Sequence, residues 1–158
     1  MALTTLDIKE PGLNTLPPGV ERYVVEGGGL TGIQILPDDE IEIINNEGNQ
    51  ICEVSAFNKD GKSELAILGL KEIKENSEIK KILLKKDETS LQALLQLKKR
   101  NLNIEKSKSS VVFDKETKAG ESLKFKSKDK CYCIIAAPSN EMMIHEQNPS
   151  TELTVMIK

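Results

Sequence analysis

Tryptophan is absent, and all aromatic residues together make up only 3% of the 158-residue chain. Two tyrosines and three phenylalanines are too few for a platform on which nucleic-acid bases could stack. An excess of positive charge is missing as well. Lys and Arg number 22 against 25 Asp and Glu, a formal net charge of −3. With a sequence pI near 5.4, nucleic acid is excluded as the main partner. No apolar run approaches the roughly 20 residues a membrane-spanning helix needs. The opening Met1-Ala2-Leu3-Thr4-Thr5-Leu6-Asp7 lacks the basic region and apolar stretch of a secretory signal. Cysteine is limited to three residues, an odd number without the spacing of a disulfide scaffold, which fits a reducing cytoplasm. Histidine occurs once, at His145.

What is present is aliphatic. Hydrophobic residues are 38% and charged residues 30% of the chain, so the core must be built mainly from Ile, Leu and Val. A chain of this length fits one domain, residues 1–158, and needs neither disulfide nor metal merely to fold.

The clearest pattern is Glu40-Ile41-Glu42-Ile43-Ile44-Asn45. Apolar residues at every second position predict a strand with one buried and one wet face. Asn45-Asn46-Glu47-Gly48-Asn49 supplies turn chemistry, and Gln50 to Phe57 reads as the return strand of a hairpin. A second unit resembles it. Gly120 to Phe125 leads through a lysine-rich turn to Cys133 and Ala137, as Asp39 to Ile43 leads to Cys52 and Ala56. Shorter strands are expected at Val20–Val25, Gly32–Leu36, Ile79–Leu84 and Ser110–Phe113, and an alternating one at Glu152–Ile157. Lys130–Ala137 is apolar on both faces, as a central strand would be.

One helix stands out over about 89–101. Thr89 or Ser90 can cap it, Leu91, Ala93, Leu94 and Leu95 form its apolar stripe, and Asn101 can close it. The fold expected is therefore mainly β, barrel-like or a sandwich of two amphipathic hairpin units with one helix. Within it, residues 1–20 form an irregular arm punctuated by proline, 20–58 are β, 59–109 are a connection containing the helix, and 110–158 are β. The stretch 71–108 carries 11 basic and 6 acidic residues, read as a solvated connection or a docking surface for an acidic partner.

Few residues offer chemistry. Cys131 and Cys133 share one face of a strand, and with Cys52 and His145 they would make a Cys3His metal set. Their neighbours Ile134, Ile135 and Ala136 favour burial of the thiols as small hydrophobes instead. No nucleophile is placed beside His145 by the sequence. Gly27-Gly28-Gly29 lacks the ending of a phosphate loop. Gln50 and Glu53, three apart on one strand, face opposite ways, so one of them must point inward and find hydrogen bonds. No catalytic residue is assigned, and Gln50, Glu53 and Asn58 are the candidates for a pocket or contact.

The run Glu47-Gly48-Asn49-Gln50-Ile51-Cys52-Glu53-Val54-Ser55-Ala56-Phe57-Asn58, with Ala119-Gly120-Glu121, Asp129 to Pro138 and Pro149 to Val155, resembles the urea-carboxylase-associated family. Gln50 and Asn58 match that family's pattern, and Glu53 stands where it usually has Asp. The family's middle section with Cys and His is replaced here by residues 71–108, and Ala136-Ala137-Pro138 stands in place of Ala-Cys-Pro. The closing Ala-Pro-Ser and Pro-Ser-Thr-Glu-Leu patterns are similar to the N-terminal region of large aminomethyltransferases of the glycine-cleavage T-protein type. The resemblance implies a non-catalytic accessory domain working with a catalytic part in cis or trans. A homo-oligomer is open, and any tetrahydrofolate would bind in the parent enzyme. It also leaves open a metal-assisted hydrolase of a urea- or amidine-like C–N bond, or a small-ligand binding barrel. The chain reads equally as ending naturally at Lys158 or as the N-terminal fragment of a longer protein.

Overall fold

The computed structural model describes residues 8–9, 20–70, 79, 83, 88–102, 108–113, 116–138 and 151–158. Along the chain these form β1 (Ile8–Lys9), β2 (Glu21–Val25), β3 (Leu30–Ile35), β4 (Glu40–Asn45) and β5 (Cys52–Phe57). A short 3-10 turn (Leu65–Leu68) and the helix α1 (Glu88–Lys99) follow, then β6 (Ser110–Phe113), β7 (Glu121–Lys126), β8 (Cys131–Ala136) and β9 (Leu153–Ile157).

The strands make two sheets, one ordered β1-β3-β8-β5-β6 and the other β2-β9-β4-β7. Every pairing is antiparallel except that of β1 with β3. The expected mainly β sandwich is therefore present, and the described strands close no barrel. The arm expected to be irregular over 1–20 contributes a two-residue strand at Ile8–Lys9.

Alternation explains which faces meet. Tyr23, Val25, Ile41, Ile43, Leu153, Val155 and Ile157 of the four-stranded sheet pack against Ile33, Ile35, Val54, Ala56, Cys133 and Ile135 of the five-stranded one. The outer face of the five-stranded sheet is covered too. Leu30, Phe57, Ile134 and Ala136 form a second cluster there with Ile79, Leu83, Leu97 and Leu102. Double coverage is why β5 is buried at all six positions and β8 is nearly as enclosed.

The two expected hairpins are not hairpins. β4 lies in one sheet and β5 in the other, and β7 and β8 are divided in the same way. The physical reason is that β4, β5 and β8 each have both edges taken by other strands. β5 is held between β8 and β6, and β4 between β9 and β7. The turns at 46–51 and 127–130 therefore arch from sheet to sheet. The likeness of the two units survives in another form. β4 pairs with β7, β5 with β8, β3 with β8 and β6 with β5. Ile41 faces Phe125 and Ile43 faces Leu123, the reciprocal pattern an approximate two-fold axis gives. The segments β3-β4-β5 and β6-β7-β8 are thus one unit used twice.

Two expectations in the connection change. At Ile79 and Leu83 the backbone is helical, not extended, and both side chains are buried. Apolar residues at 79, 82 and 83 follow a helical period, which wins over β-branching. In α1 the inward residue is Leu97, with Leu94 half-buried, whereas Leu91 and Leu95 are exposed. Thr89 and Ser90 lie inside the helix, past its start. Asn101 does close it, at φ 59°. Its amide donates to Lys98 O (3.0 Å) and that of Leu102 to Leu97 O (3.0 Å), a Schellman closure with Leu97 and Leu102 in one cluster.

Candidate functional site

β5 carries the residues singled out by sequence, and its geometry sets them apart from one another. Gln50 precedes the strand, Glu53 lies within it and Asn58 follows it. Six extended residues span about 20 Å, so Gln50 and Asn58 cannot line one pocket.

Gln50 is fully buried. Its Nε2 donates to Ile51 O (2.8 Å) and Pro138 O (2.9 Å), and its Oε1 accepts from the Thr151 amide (2.8 Å). Asn45 Nδ2 donates to the Gln50 carbonyl (2.8 Å). One amide therefore ties the arch before β5 to the exit of β8 and the approach to β9. Gly48 makes this fit possible. At φ 77° its Cα lies so close to the 117–119 backbone that a Cβ would meet Ala119 N at 2.6 Å. Asn49 donates from its amide to Thr117 O (2.7 Å). Two acceptors of the node, Asn45 Oδ1 and Thr151 Oγ1, are buried with no hydrogen-bond partner among the described residues.

Glu53 is also buried, on the face of β5 that carries Phe57, and accepts a hydrogen bond from Ser109 Oγ. Next to it, Ser55 Oγ donates to Lys108 O (2.9 Å). These two contacts join β5 to the chain leading into β6. The expectation that only one of Gln50 and Glu53 points inward fails because the five-stranded sheet is covered on both faces. Asn58 has a local task. Its Oδ1 accepts from the amides of Asp60 (2.9 Å) and Lys62 (3.1 Å), closing a loop around Gly61.

The three thiols are buried and unbonded to one another. Burial pushes Cys131 up to about 11 and raises Cys52 and Cys133 as well. A thiol held neutral is a weak nucleophile and a poor metal ligand. Among the described residues no group of three His, Cys, Asp or Glu side chains could hold a metal ion. His145 lies outside the described residues. On the four-stranded sheet, Tyr23 OH donates to Glu21 Oε2 at 2.5 Å, and burial followed by that carboxylate raises the phenol above its ordinary range. This pair had no motif in the sequence beyond two inward positions of β2. Asn45 did have one: it occupies the third inward position after Ile41 and Ile43.

The arrangement thus supplies buried hydrogen-bond clamps between strands. Comparison with known proteins adds a relative. Over 152 residues, 96% of this chain, the sequence is 34% identical to the trimethylamine-oxide aldolase of Ruegeria pomeroyi. The chain is related to a segment of an enzyme. It spans 19% of that relative's length. No family model matches the chain, so the urea-carboxylase-associated likeness rests on the residue patterns alone. The relative is named an aldolase, where those patterns resemble an aminomethyltransferase. No helix among the described residues is long and apolar enough to cross a membrane.

Proposed function

We propose that this chain is a non-catalytic accessory domain of an aldolase acting on trimethylamine oxide or a similar amine oxide. The observation that carries the reading is the match along nearly the whole chain to a small part of such an enzyme. The buried polar residues favour it. Gln50, Glu53 and Asn58 spend their hydrogen bonds on the fold, and the thiols are held neutral. An accessory domain needs this kind of rigidity and no proton-transfer group of its own. The catalytic part, and any tetrahydrofolate or metal it requires, would lie beyond the domain, joined in cis or docked in trans.

The test is consumption of trimethylamine oxide by the product of the complete reading frame and by residues 1–158 alone. The complete product should consume it and the isolated domain should not. Turnover by the isolated domain would remove the accessory role. An inactive complete product, folded and purified with its native metals, would remove the aldolase parent.

A further inference from the structure

Among the described residues, the approximate two-fold axis leaves one position of the four-stranded sheet without its counterpart. On one side of the axis, the outer edge of β4 is covered by β9, antiparallel and in register from Ile41–Ile157 to Asn45–Leu153. On the other side, the outer edge of β7 has no strand beside it among the described residues. Four of its six residues are exposed, and the other two, Leu123 and Phe125, are only half-buried although they pack against the core. An open edge offers a row of unpaired backbone donors and acceptors.

We propose that the outer edge of β7 is a strand-docking site for an extended segment of a partner protein in which apolar and acidic residues alternate. The charge of the edge selects that chemistry. Lys124 and Lys126 lie on its solvent face, and Lys128 and Lys130 follow in the turn. Lysines on an edge repel a second basic strand, so another copy of β7 is a poor occupant. They attract carboxylates. β4 already demonstrates the fit from the opposite side. Its Glu40 and Glu42 sit opposite Lys126 and Lys124, with Lys124 Nζ 3.9 Å from Glu42 Oε2, while Ile41 and Ile43 meet Phe125 and Leu123. A strand of the same pattern added on the outer edge would cover the exposed parts of Leu123 and Phe125 and leave its carboxylates beside the lysines. This inference rests on the sheet and is independent of the parent enzyme proposed above.

The probe is a synthetic peptide with the sequence of residues 38–45, added to the isotope-labelled chain. Amide hydrogen exchange and two-dimensional NMR are read residue by residue. Exchange should slow at residues 121–126 with β4 amides still protected, and binding should weaken as salt is raised. A Lys124→Gln/Lys126→Gln chain should bind roughly tenfold more weakly, the loss expected for two partly screened charge pairs. A peptide with lysine in place of its acidic residues should not bind. The proposal is overturned if β7 amides do not respond, if protection appears at another edge, or if the peptide strips β4 from β7. Protection of β7 that grows with protein concentration in the absence of peptide, the mark of pairing between copies, would also overturn it.

Discussion

At the scale of single residues, Gln50 shows how a polar side chain can hold a sandwich together. It fills three hydrogen bonds in a fully buried position. Gln50→Leu keeps the approximate volume but leaves Pro138 O and the Thr151 amide without it. The expected cost is about 3 kcal/mol, because buried groups then lose partners without regaining water. A urea titration followed by circular dichroism would read this as a lower midpoint at unchanged slope. A midpoint equal to that of the parent would show the node to be dispensable. The thiols make a second prediction. Their folded pKa values lie above the ordinary thiol value, so between pH 9 and 11 the unfolded chain loses protons that the folded chain keeps. Stability should be flat below pH 9 and fall as pH rises from 9 through 11. Cys131→Ala should make that fall shallower. At pH 8 a disulfide reagent should label the native protein slowly and the urea-unfolded protein at all three cysteines.

Among the elements, strands were more legible in the sequence than their partners. The alternation of Glu40–Asn45 located β4 to the residue, and the unbroken apolar run at Cys131–Ala136 announced a central strand. Pairing was hidden because it depends on which edges are free, a property of the whole sheet that no window of residues contains. The helix was found, but its buried side was misassigned. Leu91 and Leu95 fit a 3.6-residue stripe as well as Leu94 and Leu97 do, and only the position of the Phe57–Ile134 face decides between them. Of the candidate site, the sequence required that one of Gln50 and Glu53 be buried, and the structure buries both. The distant partners of Gln50, Pro138 and Thr151, were not foreseeable. The loop ahead of the 3-10 turn carries the element-scale prediction. Gly61 has φ 81°, and a Cβ there would come within 1.8 Å of Asn101 O at the helix closure. Gly61→Ala should cost about 2 kcal/mol or more and lower the melting temperature by about 5 °C, through strain and a backbone clash together. Gly69→Ala, with φ 73° but open space around it, should cost less. Differential scanning calorimetry of the two variants compares them directly.

For the whole molecule, the decisive fact is that the last strand in sequence is not at an edge. β9 sits between β2 and β4 and pairs with both. Its Leu153, Val155 and Ile157 are part of the core between the sheets. Removing residues 153–157 should therefore split the four-stranded sheet and leave a chain without cooperative unfolding or dispersed amide resonances. Retention of a sharp thermal transition in that truncated chain would show that β2 is peripheral to stability. Trimming β1, which pairs with β3 alone, should be tolerated far better.

The placement of β9 also bears on how the protein is made. Glu21 is partnered by Ile157, so β2 must wait for β9, more than a hundred residues later, to leave the ribosome before these hydrogen bonds can form. Until then Val25, Ile41 and Ile43 have no finished sheet to shelter them. Such distant closure slows folding and lengthens the interval of exposure to aggregation. A chaperone that shields nascent aliphatic strands would therefore raise the yield of native domain more than any change in the surface it finally presents.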